Sequence, residues 1–484
     1  MTRRRLRLPR PDSDVDRALA AVRAENDLPG DFPADALAEA AAADRTADDD
    51  GRIDLTAIPF VTIDPPGSLD LDQALHLEES PGGAVLRYAI ADVPAVVRPG
   101  GALDAETRRR TQTYYLPDGR IPLHPDVLSE GAASLLPEQR RRALVWTLEL
   151  GSDAEPRSVR VERALVASVA RLDYAGVQRD AGNGALHPSI ALLPWFGRER
   201  RARESERGGA SLTLPEEEIV ADDGRYRVER RAPLESEDWN AQVSLLTGMA
   251  AATMMLDAGV GILRTMPPAD AETLAAFRAR TELLGAPWHA GESYGDYLRR
   301  LDTGDPAQLA VMHSAASLFR GAGYTAFDGS PPEQPEQAAL AAPYAHVTAP
   351  LRRLVDRFGL AVCLAVSRGE EPPQWLREAL PGIPALMAAG DRRSGAVNRA
   401  ATAVVEAAVL RGLEGSVFSG VVVSTSRTRS SVQLLEPEVT VDVQAPLTPG
   451  ARVDVVLESV EVATGSAVFR ALDQSSSSSS RGLT

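Results

Sequence analysis

The stretch FVTIDPPGSLDLDQALHLE, Phe60–Glu78, sets Asp64, Asp70 and Asp72 around a Pro-Pro-Gly turn and follows the last of them with Gln73. Its apolar ends, FVTI and QALHLE, read as two strands joined by an acidic segment. Carboxylates two apart on an extended chain project to one face, and the turn can fold Asp64 back toward Asp70 and Asp72. Three converging carboxylates repel one another and stay ionised together only beside a cation. Hard oxygen ligands without Cys or His select Mg²⁺, with Mn²⁺ as the second choice, over zinc. Gln73 can add one neutral carbonyl oxygen to that set. A calcium loop of EF-hand type needs Gly at its sixth position and Glu at its twelfth, and counting from Asp70 gives Leu75 and Pro81. Spacing alone leaves a solvated acidic turn open as the other reading.

The chain around this stretch has 484 residues, 44% of them hydrophobic, enough for two or three cores. No apolar run has the length of a membrane span. The basic start MTRRRLRLPRPD leads into acidic, alanine-rich sequence and not into the apolar core of a signal peptide, so a cytoplasmic protein is expected. The single cysteine, Cys363, lies in the apolar run GLAVCLAV and excludes an intramolecular disulfide. A formal charge of −16 argues against nonspecific polyanion binding, but only weakly. All 52 basic residues are arginine, the better bidentate phosphate ligand, and runs such as Arg108–Arg110, Arg140–Arg142 and Arg352–Arg353 can concentrate positive charge locally.

Periodicity divides the chain into a short helical segment over 1–52, a mixed α+β body over 53–368, a helical connector over 369–413 and a five-strand region over 414–472. The last suits a small barrel of the oligonucleotide-binding kind. The serine-rich tail, 473–484, is expected to be disordered. Helices are expected near 103–112, 238–258, 268–284, 306–321 and 350–367. In YAHVTAPLRRLVDRF, Tyr344, His346 and Thr348 precede a proline-started helix carrying Arg352, Arg353 and Asp356, and a helix amino terminus with two arginines is a good anion site.

Taken together, TIDPPGSLDLDQA, YAIADV, YYLPDGRIPLHP, RLDYAGV, DWNAQVSLL and YAHVTAPLRRLVD resemble, in order, the motifs of the ribonuclease II (RNB) exoribonucleases. The resemblance runs from about residue 53 to 368. It implies an RNB-type catalytic domain, a carboxy-terminal RNA-binding barrel and stepwise hydrolysis of single-stranded RNA from the 3′ end to nucleoside 5′-monophosphates, by a monomer. By residue it implies Asp64, Asp70, Asp72 and Gln73 at the metal site and Asp72, Arg352 and Arg353 in catalysis. RNA contacts are implied at Tyr115, Tyr174, Asn240, Ser244, Tyr344 and Thr348. The sequence departs from the family pattern at Gln73, where an Asp is usual, at Ala349 and Leu354, and at Ser244 and Leu245, which replace an acidic pair. The amino-terminal segment is also shorter than the two cold-shock barrels typical of the family. Gln73 and the altered arginine motif motivate an alternative, an RNA-binding protein that keeps the fold with little or no catalysis.

Overall fold

The computed structural model describes residues 13–472 apart from 47–48, 211–215, 223–224, 232, 303–304, 316–317, 319 and 438, so the expected tail lies outside the described residues. Its first helix, Ser13–Glu25, carries Val15, Leu19 and Val22 in one stripe, which packs on Val397, Ala401 and Val404 of the long helix Ile383–Leu410 and on Val462 of the terminal barrel. The second, Ala34–Thr46, buries Ala36, Ala40 and Ala43 against Val93, Leu103, Leu128 and Leu351. The amino-terminal pair is therefore part of the packed body.

The sheet is built outward from the opening stretch. Phe60–Ile63 pairs antiparallel with Gln73–Ser80, which forms a hairpin with Gly83–Ala91 through Pro81 and Gly82. That strand pairs with Arg140–Gly151, which pairs with Pro156–Leu172, and the last strand returns parallel to Phe60–Ile63, closing the ring. Period-two alternation sorts the side chains. Leu75, Leu77, Tyr88, Leu144 and Trp146 enter the main core, while Ala74, Ala89, Ala143 and Val145 join Phe60 in a second cluster.

The central helix, Glu235–Ala258, packs Trp239, Val243, Leu246 and Met255 into the main core. Gly248 on this helix allows the chain at Tyr344 and Ala345 to cross it closely: a Cβ there would lie 2.1 Å from Tyr344 Cε2. The Ala345 N–H donates to the Gly248 carbonyl at 3.0 Å, and this crossing brings Thr348 and Leu351 to Gln73 and Asp72 at the start of the second strand. At the carboxy-terminal end, strands Val417–Thr425, Ser430–Leu434, Thr440–Val443, Arg452–Glu461 and Ser466–Ala471 close into a barrel around Val422, Val432, Leu457 and Phe469.

The second strand begins at Gln73, where the QALHLE reading starts it, so Asp70 and Asp72 lie in the acidic segment ahead of it, with the Asp72 carbonyl accepting the Ala91 N–H at 3.0 Å. Their segment is held from the side: Leu71 N–H donates to Ser134 Oγ, and the Leu71 carbonyl accepts from Leu135 N–H, both at 3.0 Å. One local expectation is corrected: Arg352 and Arg353 do not lie on a helix. The helix runs Leu354–Ser367 with an extended Arg353 at its cap, because Thr113 N–H takes the Arg352 carbonyl (3.0 Å) and Leu354 N–H the Thr111 carbonyl (3.0 Å). The remaining helices fall at Ala102–Arg110, Ala271–Leu283 and Pro306–Ala315 where helices were expected.

Candidate active site

Asp64 ends the strand Phe60–Ile63, its N–H donating to the Leu172 carbonyl at 3.1 Å. After the Pro-Pro-Gly turn the chain is anchored by Ser134, whose hydroxyl donates to the Leu69 carbonyl at 2.5 Å while accepting from Leu71 N–H. Asp70 then pairs with Arg120 at 2.6 Å, and the same guanidinium reaches Glu130. Asp72 is only 6% exposed. Its Oδ1 accepts the Leu351 N–H at 2.7 Å, and Arg352 Nε lies 3.7 Å from its Oδ2. Burial pushes the Asp72 carboxyl well above the usual carboxylate range, and the nearby charges of Asp70 and Asp356 add to this while Arg352 and the Leu351 N–H oppose it.

The two arginines are held differently. Arg353 gives both Nε and Nη2 to Asp356 at 2.8 Å, a buried bidentate pair. Burial lowers the affinity of Arg353 for its proton, but the Asp356 charge outweighs it and holds the group above its ordinary value. Asp356 also accepts the Ala349 N–H at 2.7 Å, so it closes the loop ahead of its own helix. Arg352 has no such carboxylate lock and faces Asp72 with its side chain 26% exposed. Both are aligned by the Thr111–Thr113 segment, where Thr111 stands at φ 67, a conformation that a β-branched residue rarely adopts. Gly390 of the long helix makes room for it: a Cβ there would lie 2.2 Å from Thr111 Oγ1. Strain of this kind persists where surrounding contacts over-determine it, as around functional sites.

Gln73 takes a different part from the one expected of it. Its Nε2 donates to the Thr348 carbonyl (2.5 Å), and its Oε1 accepts from the Tyr88 hydroxyl (2.7 Å). Ser244 Oγ lies 2.8 Å from the same hydroxyl. An amide oxygen can only accept, so Tyr88 spends its one proton on Gln73 and Ser244 must donate to Tyr88. The result is a one-way chain of neutral groups, and burial pushes the Tyr88 hydroxyl far above the phenol range.

Of the other candidates, Tyr174 and Asn240 come together, with Asn240 Nδ2 3.4 Å from the Tyr174 hydroxyl. Tyr115 stands 40% exposed on the short strand Tyr114–Leu116, next to the segment that aligns the arginines. Tyr344 is not an open contact surface. It is buried against Gly248 and meets His346 edge-on at 5.3 Å, so it serves packing. The Thr348 side chain is likewise buried, and its carbonyl serves Gln73. Sequence reading missed Tyr88, Arg120 and His124. Tyr88 carried a signal, since a buried tyrosine in an apolar strand needs a partner for its hydroxyl. Arg120, in LPDGRIP, carried none. His124 is buried, with Nδ1 3.0 Å from the Leu351 carbonyl, and burial lowers its pKa to about 4. A neutral ring protonated at Nδ1 satisfies that contact, and Leu351 is thereby held at its carbonyl by His124 and at its N–H by Asp72.

Among the described residues, no three His, Cys, Asp or Glu side chains stand at coordination spacing. The donor chemistry nevertheless fits a hard divalent cation. Asp64, Asp70 and Asp72 offer oxygen only, and Asp72 is a buried carboxyl whose neighbours include two further negative charges. Gln73 has both ends of its amide engaged, by the Thr348 carbonyl and the Tyr88 hydroxyl.

The profile of the RNB domain matches residues 52–359, and that of the RNase II-type exonuclease C-terminal S1 domain matches 416–472. The chain belongs to the RNB family. Ribonuclease R of Escherichia coli (strain K12) is 31% identical over 327 residues, covering 63% of this chain and 39% of that protein, so the match spans well under half of the relative's length. The RNB fold is shared with Mycoplasma genitalium RNase R in complex with ribose methylated single-stranded RNA, at a TM-score of 0.84 and 18% identity over 95% of this chain and 78% of that one. It is shared also with yeast Ssd1, a pseudonuclease, at a TM-score of 0.69 and 15% identity over 93% and 59%.

Proposed function

We propose that this RNB protein is a Mg²⁺-dependent hydrolase that removes nucleoside 5′-monophosphates from the 3′ end of single-stranded RNA. The observation that carries the reading is the placing of Arg352 beside the buried Asp72, in the loop that the family motif occupies. Asp64, Asp70 and Asp72 would hold the ion, which when bound supplies Lewis-acid polarisation of the phosphate and a more acidic water. Asp72, fixed by the Leu351 N–H, orients the attacking water. Arg352 meets charge developing on the phosphate oxygens, a stabilisation that counts most in a site from which water is excluded. Arg353, locked on Asp356, acts by positioning the Ala349–Arg352 turn. Tyr174 and Tyr115 offer ring faces to bases, and the terminal barrel adds backbone and stacking contacts.

A second reading, RNA binding without hydrolysis, is favoured by one feature: the amide at position 73 is committed to Tyr88 and Thr348. Incubating 5′-labelled and 3′-labelled oligoribonucleotides with Mg²⁺ or EDTA separates the two. Metal-dependent release of the 3′ label as mononucleotide, with stepwise shortening of the 5′-labelled strand, is expected. Tight binding with no release at any Mg²⁺ or Mn²⁺ concentration would establish the second reading.

A further inference from the structure

Among the described residues, the arginine run Arg140–Arg142 makes no contact with the carboxylates of the site just described. It opens the strand Arg140–Gly151 and lines a cavity of about 220 Å³ whose other walls are Asp49, Ala132 and Leu165. Three arginines face one aspartate there, in a chain of net charge −16. Two of the three are already tied down. Arg142 Nε bonds Asp49 at 2.6 Å, and Arg141 Nε bonds the Ser134 carbonyl at 2.9 Å. Arg140 is exposed, and among the described residues its guanidinium makes no hydrogen bond, while its carbonyl accepts from Arg141 Nη1 at 3.3 Å. Besides Asp49 in the cavity wall, the exposed Asp54, which bonds Thr56, feels the Arg140 charge. Arg52, whose Nε lies 3.9 Å from Asp49, shares the buried Asp92 with Arg163, so the neighbouring ion cluster carries two arginines on that one carboxylate.

We propose that this cavity binds one phosphate group of an RNA backbone, with Arg140 as its mobile ligand and Arg141 and Arg142 as its fixed walls. The choice of RNA rests on the functional reading above; the choice of phosphate rests on the cavity. Guanidinium groups recognise phosphate oxygens in pairs, and a hollow lined by one sign of charge focuses its field. The site also touches the catalytic loop. Arg141 holds the Ser134 carbonyl, and the Ser134 hydroxyl holds Leu69 and Leu71 on either side of Asp70. A strand leaving the reaction centre can therefore be gripped at the back of the loop that carries its carboxylates.

The test is binding of a fluorescent 20-nucleotide single-stranded RNA to the full chain in EDTA, across a salt series. Each phosphate contact on a single strand contributes about 0.7 to the slope of log K against log salt. Arg140→Gln should lower that slope by about 0.7 and weaken binding several-fold at low salt, with an unchanged Tm. Asp54→Asn should act in the opposite direction and tighten binding, a result that misfolding cannot imitate. Inorganic phosphate should compete with RNA on the wild-type chain and less on Arg140→Gln. An unchanged slope in both variants would overturn the proposal, and phosphate binding at the cavity with RNA affinity unaffected by Arg140→Gln would overturn the RNA assignment in favour of the free anion. Should the chain release no mononucleotide while the slope still falls, the cavity assignment stands and the hydrolytic reading fails.

Discussion

The carboxylate side and the amide side of the Phe60–Glu78 stretch are built on opposite plans, although Asp72 and Gln73 are adjacent. The carboxylate side is ionic: Asp70 faces Arg120, Asp72 faces Arg352, and Arg353 is clamped on Asp356. The amide side is neutral: Ser244, Tyr88, Gln73 and the Thr348 carbonyl pass hydrogen bonds in one direction and carry no charge. The contrast teaches that a polar residue beside a buried carboxylate can belong to a separate, neutral network. In a buried place each polar atom must first be satisfied, and Gln73 is satisfied by its own neighbours.

The contrast breaks most visibly at Asp72. Asp72→Asn keeps the acceptor for Leu351 N–H and removes the charge, so hydrolysis should fall by roughly 10⁴-fold, the scale seen when a charge that orients a reacting group is neutralised. Single-turnover rates and RNA affinity on the same preparation check this; cleavage at the wild-type rate would remove Asp72 from the reaction. Next in size is the clamp. Arg353→Ala leaves Asp356 buried without its bidentate partner and should destabilise the fold by about 3–5 kcal/mol, measured by urea unfolding. Arg352→Ala, which breaks no such clamp, should cost far less stability and act on turnover instead.

Acid probes the same side through His124. Its pKa is about 4 in the fold against an ordinary 6.5. Between those values the unfolded chain binds a proton that the folded chain refuses, so the His124 contribution to stability is level above about pH 6.5 and falls by roughly 3 kcal/mol as the pH drops toward 4. Urea titrations at stepped pH would show it, and His124→Gln should flatten that part of the profile. The smallest effect belongs to the neutral side. Gln73→Leu strands the Tyr88 hydroxyl and the Thr348 carbonyl and should cost about 1–3 kcal/mol of stability, while the Mg²⁺ concentration for half-maximal rate moves less than about twofold. A large rightward shift in that titration would instead place the Gln73 oxygen on the ion.

Much of this was readable in the sequence because it is local. The alternation on either side of Pro65–Gly67, the SPGG hairpin and the five short strands after Glu414 are period-two signals, and each became the expected strand set. The carboxylates and arginines were legible as motifs. The way they are held was not: Ser134 and Leu135, more than sixty residues on, fix Leu71 between Asp70 and Asp72. The start of the helix at Leu354 is set by Thr111 and Thr113, which pattern cannot connect to an Ala-Pro-Leu-Arg-Arg run. The fate of Gln73 depended on Tyr88, Ser244 and Thr348, residues scattered over three elements, and only the folded chain brings them together.

The direction of the Ser244–Tyr88–Gln73 chain also constrains how this corner can change over generations. An aspartate arriving alone at position 73 would be too short to keep both hydrogen-bond partners and would bring a charge against a buried hydroxyl. An acid arriving alone at position 244 would offer no proton to Tyr88 at neutral pH, leaving the tyrosine to choose between two acceptors. Each single step toward the acidic pattern usual in the family is therefore unfavourable by itself, and the two positions are expected to trade residues together. Neutrality at this corner is a joint property of the pair.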